Sequence, residues 1–407
     1  MKFSEIIGQE NVKKRLLKSV AENRVSHAQL FLGPEGSGKL AMAIAYAQYI
    51  NCRQRTETDS CGTCPSCVKY SKLIHPDLYF LYPINKTREV DKEPLSIDFL
   101  PQWREFLAGN YYYVSLQDWY DKIGIEKKQG IINADDANYV IKALNLKSYE
   151  AEYKIVIIWM VEKLFHAVAP KLLKSIEEPA EKTLFLLISE NPDTIPQTIL
   201  SRTQLVKFGR TSDDAVAGFL VQNLAVPESI ASSIAMVADG NAKEAIDMAR
   251  LEAEKISALQ QPGIATVSDP DRERFELFRE WMRRCWVITD KNIVLKEYNL
   301  LLDLVSSIVS DGSREKQKDF LAYGLKLLRS CLHHNLGNKQ LVKHSTYETE
   351  FIANFSRYIH IRNIAEFDEE FNKAIFHIER NVAGNLIFTD LSHTIARLLK
   401  IAPPQQR

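Results

Sequence analysis

Apolar residues recur at Val12, Leu16, Leu17 and Val20, the three-and-four spacing that lines one side of a helix and predicts one over 9–24. The next apolar run has another rhythm. Ala-Gln-Leu-Phe-Leu-Gly at 28–33 is short and nearly continuous, as in a strand covered on both faces. A helix is predicted over 39–50, where Ala41, Ala43, Ala45 and Ala47 favour helix and let a sheet approach closely. Buried strands are predicted at 78–82, 154–160 and 183–189, with helices at 134–146 and 166–178 between them. Strands alternating with helices imply a parallel α/β sheet.

Beyond about residue 210 the strand pattern stops. Helices at 213–224 and 228–249 suggest a small helical domain closing with Asp239-Gly240-Asn241-Ala242-Lys243. A linker is marked by Gln-Gln-Pro-Gly at 260–263 and Asp269-Pro270-Asp271, and from 272 to 400 the pattern is helical. One stretch, about 85–130, interrupts the α/β alternation with Pro94, Pro101, Trp103, Tyr111, Tyr112, Tyr113, Trp119 and Tyr120, and reads as an insertion. Such aromatics either pack the insertion onto its own domain, the commoner case, or offer a stacking surface to nucleic acid. The domain order expected is α/β over 1–209, a small helical domain over 210–258, and an all-helical domain over 270–402.

Composition adds constraints. The chain has 407 residues, 45% of them hydrophobic, with 52 basic and 52 acidic side chains. It can bury ordinary cores, and it lacks the basic excess of proteins that neutralise many phosphates alone, so any nucleic-acid contact is local or shared. The first residues mix charge with apolar positions, and no run approaches the roughly 18 apolar residues of a membrane span. The expected compartment is the reducing cytoplasm, where cysteines stay thiols.

Gly33-Pro34-Glu35-Gly36-Ser37-Gly38-Lys39 fits G-x-x-x-x-G-K between a strand and a helix, where backbone N–H groups and a helix N-terminus cradle phosphates. The next residue should carry a hydroxyl for Mg²⁺; it is Leu40. An acidic pair should follow Ile158 to hold the metal and align water; those places hold Trp159 and Met160. Glu162 comes too late and is expected to point elsewhere, since side-chain direction alternates along a strand. Two readings of the loop stand: an inherited turn that binds nothing, or ATP or ADP held without turnover.

Cys52, Cys61, Cys64 and Cys67 form C-x8-C-x2-C-x2-C, with Gly62 and Pro65 permitting tight turns. Four thiolates at this spacing suit a closed tetrahedral zinc site, structural because no coordination position stays open. This zinc module spans about 52–67. Cys285 and Cys331 fall singly in helical patterns, as packing residues do.

Taken in order, the run 25–39, the cysteines after the next helix, His75-Pro76-Asp77, Leu-Leu-Lys-Ser-Ile-Glu-Glu-Pro at 172–179, Ser201-Arg202-Thr203 and 378–386 resemble the bacterial clamp-loader AAA+ subunits of DNA polymerase III over nearly the whole chain. The resemblance implies a P-loop (AAA+) domain, a helical lid and a helical collar through which five subunits form an open ring. It implies that Arg202 reaches a neighbour's ATP as an arginine finger in trans, although Thr203 replaces the family's cysteine; the other reading is a salt-bridged surface arginine. Lys243 stands where the lid's nucleotide-sensing arginine is expected, and the insertion has no counterpart. The missing hydrolytic residues resemble the non-hydrolysing members more than the gamma/tau-like ATPases. The partners implied are gamma/tau-like ATPase subunits, a delta-like subunit and, through the assembly, the sliding clamp and primed DNA, with no membrane. Two competing functions remain: a self-sufficient ATPase, and a zinc-dependent nucleic-acid module using Arg53, Arg55, Lys69 and Lys72.

Overall fold

The computed structural model describes residues 1–125, 128–164, 169–259, 269–288, 295–310, 313–338 and 344–403. Two compact units, Met1–Ala253 and Glu254–Arg407, make up the chain. In the first, β1 (Ala28–Leu32), β2 (Leu78–Leu81), β3 (Lys154–Trp159), β4 (Thr183–Ser189) and β5 (Gln204–Lys207) form one sheet in the order β2-β3-β4-β1-β5, every pair parallel. Every residue of β3 and β4 is buried, which is why both read as unbroken apolar runs. β5 escaped the pattern because only Val206 is fully buried on this edge strand.

α1 (Glu10–Ala21) and α2 (Lys39–Ile50) pack on one face of the sheet. All 12 residues of α2 are buried, and its alanines make that burial possible. After α3 (Pro65–Ser71) and the insertion, α6 (Ala134–Leu144), α7 (Ala169–Glu177) and α8 (Gln197–Leu200) lie in the core of the other face; residues 166–168 of the predicted 166–178 helix lie outside the described residues. α6 stops at Leu144, where the buried Lys154 ammonium takes the Leu144 and Leu146 carbonyls. Met160, expected to continue β3, has φ 58 and turns the chain out of the sheet into a short 3-10 turn, Val161–Lys163.

The insertion is pinned at its base, where Ile84 and Ile131 exchange two backbone hydrogen bonds of 3.1 and 2.9 Å. Between them run α4 (Leu100–Gly109) and α5 (Leu116–Ile123). Their aromatics are core: Trp103, Trp119 and Tyr120 are at most 1% exposed. Trp103 stacks on Tyr82 at 4.3 Å, meets Trp119 edge-on at 4.9 Å and lies 5.1 Å from Trp159. Trp119 Nε1 donates to the Pro83 carbonyl at 2.8 Å. Packing onto its own domain therefore accounts for these rings, not stacking on nucleic acid.

The first unit ends in α9 (Asp213–Leu224), α10 (Glu228–Ala238) and the start of α11 (Ala242–Leu259). The single helix predicted over 228–249 is two, broken where Asp239 and Gly240 adopt φ 49 and 77. The second unit is helical: α12 (Pro270–Val287), α13 (Leu295–Ser310), α14 (Arg314–Asn335), α15 (Thr349–Phe355), α16 (Ile364–Glu379) and α17 (Gly384–Leu398). Its core gathers Phe278, Trp281, Phe320, Phe371 and Phe388, and Cys285 and Cys331 are fully buried within it, as packing residues. Of the predicted linker, 260–268 lies outside the described residues, and Asp269 caps α12 by accepting the Arg272 N–H at 3.1 Å. No described helix is long and apolar enough to cross a membrane.

Candidate functional site

β1 delivers the chain into the loop at Gly33, and Gly38, at φ 82, starts α2. Each glycine of the loop has a packing reason. A Cβ on Gly33 would stand 2.5 Å from the Phe208 carbonyl oxygen; one on Gly36 would stand 1.8 Å from Asn241 Oδ1; one on Gly38 would press Tyr113 at 3.2 Å. Lys39 is 5% exposed. Its ammonium donates to the Pro34 carbonyl at 2.6 Å and to Ser37 Oγ at 3.4 Å, and pairs with Glu190 at 3.5 Å. Ser37 Oγ itself donates to the Pro34 carbonyl at 2.7 Å. The loop's cation and hydroxyl are satisfied from within.

The three positions where the motif's magnesium ligands are expected carry no side-chain oxygen. Leu40 and Met160 are buried, and Trp159 belongs to the aromatic cluster of the insertion. Glu162 lies beyond β3, in the 3-10 turn Val161–Lys163. The turn at Met160 folds it back toward Ser189 at the end of β4, where burial pushes its carboxyl up, and its Oε2 has no hydrogen-bond partner among the described residues.

The remaining charges are committed to one another. Burial, followed by the neighbouring Glu190, pushes the Glu35 carboxyl up to about 7, and Asn241 Nδ2 donates to it at 3.3 Å. Lys243 lies between Asp118 at 2.9 Å and Asp247 at 2.7 Å. Burial works against its charge, but the two carboxylates outweigh burial and hold its pKa above the usual lysine range. A polyphosphate on this loop would face Glu35 and Glu190 and two lysines already paired, an arrangement that disfavours an anion.

The four cysteines converge. Their sulfurs all lie within 4.8 Å of one another, near the roughly 3.8 Å that tetrahedral zinc–thiolate bonds of about 2.3 Å require. Cys52 follows α2 directly, and Cys64 is the N-cap of α3, with Pro65 at its first position. Backbone N–H groups aim at the sulfurs: Cys61 to Cys52 at 3.3 Å, Cys64 to Cys61 at 3.3 Å, Cys67 to Cys64 at 3.5 Å. Such bonds from Cys64 and Thr63 bring the Cys61 thiol down to about 6, while burial raises Cys52 and Cys67. The donor set, spacing and N–H···S bonds fit a closed metal site.

Arg202 follows α8 on the surface. Its guanidinium bonds Glu177, the last residue of α7, and donates to the Thr198 carbonyl at 3.0 Å and Ser201 Oγ at 3.2 Å. β5 pairs with β1 from Gln29↔Gln204 to Leu32↔Lys207, so Arg202 precedes β5 at the edge where strands begin, whereas the loop leaves β1 at the edge where strands end. At about 3.3 Å per strand residue the two are roughly 15–20 Å apart, beyond an arginine's reach.

Sequence reasoning did not single out Glu35, Asp118, Glu190 or Asn241. The only signal was Asn241 after Asp239-Gly240, the place and type of a helix N-cap; its Oδ1 accepts the Lys243 and Glu244 N–H groups at 3.1 and 3.2 Å. His75-Pro76-Asp77 proves architectural. The Asp77 carboxylate accepts the N–H groups of Tyr149, Glu150 and Ala151 at 2.7–2.9 Å, fixing the turn into β3.

A phosphate loop between a parallel strand and a buried helix, with short helices folded beside it, defines a phosphate-loop α/β domain, here without its metal-holding half. Residues 8–212 match the family described as DNA polymerase III, delta subunit, and the chain belongs to that family of bacterial clamp-loader subunits. Among curated relatives, the DNA polymerase III tau subunit of Bacillus subtilis is 27% identical over 61% of this chain and 37% of its own length. The delta' subunit of the same organism is 27% identical over 60% of this chain and 59% of its own. The chain thus spans between about a third and three-fifths of these two relatives. A DNA polymerase III gamma subunit-related protein of Thermotoga maritima aligns over 95% of this chain and 100% of its own, at 13% identity and a TM-score of 0.40.

Proposed function

We propose that the chain is a delta-prime-like, non-hydrolysing subunit of the DNA polymerase III clamp loader. In this reading it assembles with gamma/tau-like ATPase subunits and a delta-like subunit, helps place the sliding clamp on primed DNA, and works in the cytoplasm. One observation carries the reading: hydrophobic side chains occupy all three metal-ligand places, while Lys39 is paired with Glu190. Without the metal, the charge that develops on a transferring phosphoryl group is not neutralised. The purified chain should therefore turn over no ATP, and Lys39→Ala should change nothing. The 27% identity to a tau subunit keeps a gamma/tau-like ATPase as the second reading; turnover lost on Lys39→Ala would establish it and overturn ours.

Arg202 supplies the chain's contribution to chemistry. It lies too far from its own loop, so a phosphate that it meets belongs to another subunit. Its present partner is cheap to leave, because the Arg202–Glu177 pair is exposed on both sides and such pairs are worth about 0.2–1 kcal/mol. Cys52, Cys61, Cys64 and Cys67 hold a structural zinc that ties the end of α2 to the start of α3. Metal analysis should find one zinc per chain, and strong chelation should lower the melting temperature; metal-free protein with unchanged melting would remove zinc from this account.

A further inference from the structure

We propose that the insertion is a latch that holds the helical segment formed by α9, α10 and the start of α11 down on the phosphate loop, joining the two as a bound nucleotide otherwise would. Three contacts make it. Arg250 of α11 donates to Asn110 Oδ1 at 2.7 Å and to the Gly109 carbonyl, and lies 5.8 Å over the Tyr111 ring. Lys243 of α11 pairs with Asp118 in the first turn of α5 at 2.9 Å. Phe219 of α9 meets Tyr111 edge-on at 5.5 Å and Tyr113 at 6.4 Å.

Tyr113 joins three parts of the unit. It is buried in the cluster with Val216 and Leu220 of α9, its hydroxyl accepts the Ile7 N–H at 2.9 Å, and it packs over Gly38 of the loop. The backbone bears the cost of placing it. Tyr111 and Tyr112 stand consecutively at φ 51 and 66, a region that a Cβ disfavours and that persists only where surrounding contacts over-determine it. Tyr111 itself makes two of the latch contacts, and the turn sets Tyr113 in place for a third. The seam is also closed directly, with the Ala242 N–H donating to the Gly36 carbonyl at 3.2 Å and Asn241 Nδ2 to the Glu35 carboxylate at 3.3 Å.

The latch is a property of the isolated chain, so it stands or falls separately from the clamp-loader reading above. Hydrogen exchange of the full chain, without nucleotide, tests it. Asp118→Ala with Arg250→Ala should speed exchange of the Ala242 amide about tenfold or more, while β3 and β4 keep their protection, the pattern of a local opening. Asp118→Lys alone should do the same, and Asp118→Glu, which keeps a carboxylate facing Lys243, should retain the slow exchange. Unchanged exchange at the seam, loss of protection in β3 and β4 together with it, or fast exchange in Asp118→Glu would each overturn the latch.

Discussion

At the scale of single residues, the loop's glycines are held by packing as well as by the motif they form. Gly33, Gly36 and Gly38 each face an atom that a methyl group would strike, so packing alone explains them. Gly36→Ala should lower the unfolding free energy by about 1–3 kcal/mol in the absence of nucleotide, from a strained φ and displacement of the Asn241 cap. Gly218, inside α9 with open space where a Cβ would go, is the contrast: Gly218→Ala should raise stability by roughly 0.5–1 kcal/mol. Urea denaturation of both variants checks the pair; a Gly36→Ala protein as stable as the parent would show the glycine to be idle. The motif was legible in the sequence because its residues are contiguous. The pairing of Lys39 with Glu190 was not, since the partner lies far along the chain, just past the end of β4, and no local pattern marks it.

At the scale of elements, Trp159 links two departures that look separate in the sequence. It stands where the metal-binding acid is expected, and its ring lies against Trp103 of the insertion. Trp159→Asp should therefore not rebuild a site. It would place a carboxylate among Trp103 and its neighbours, at a cost of about 3–5 kcal/mol, and thermal melting should fall steeply with no gain in ATP turnover; a stable variant would show that the aromatic cluster is not what holds the place. Elements buried along their whole length, such as α2 and β4, were readable to the residue. β5 and the break at Asp239–Gly240 were not, because an edge strand has little apolar signal and the apolar spacing runs on across the break.

At the scale of the molecule, the two functional poles of the first unit lie on opposite edges of one sheet, the loop where strands end and Arg202 where they begin. In the role proposed for it, Arg202 would therefore serve a phosphate site that docks at that edge. In a reconstituted clamp loader, Arg202→Ala should reduce turnover at the site it serves by about tenfold or more, read as a fall in DNA-stimulated ATPase, with assembly unchanged by gel filtration. An unaltered rate would make Arg202 a surface arginine and no more. The division into an α/β part and a helical remainder could be read from periodicity, whereas which edge Arg202 occupies needed the pairing of β5 with β1.

The two hydrogen bonds between Ile84 and Ile131 also bear on which changes the chain tolerates. The insertion leaves and rejoins the domain at a single point, yet Trp159 of β3 packs against Trp103 within it. Neither can be altered alone: an acid at 159 would be buried against Trp103, and removal of the insertion would leave the Trp159 ring bare.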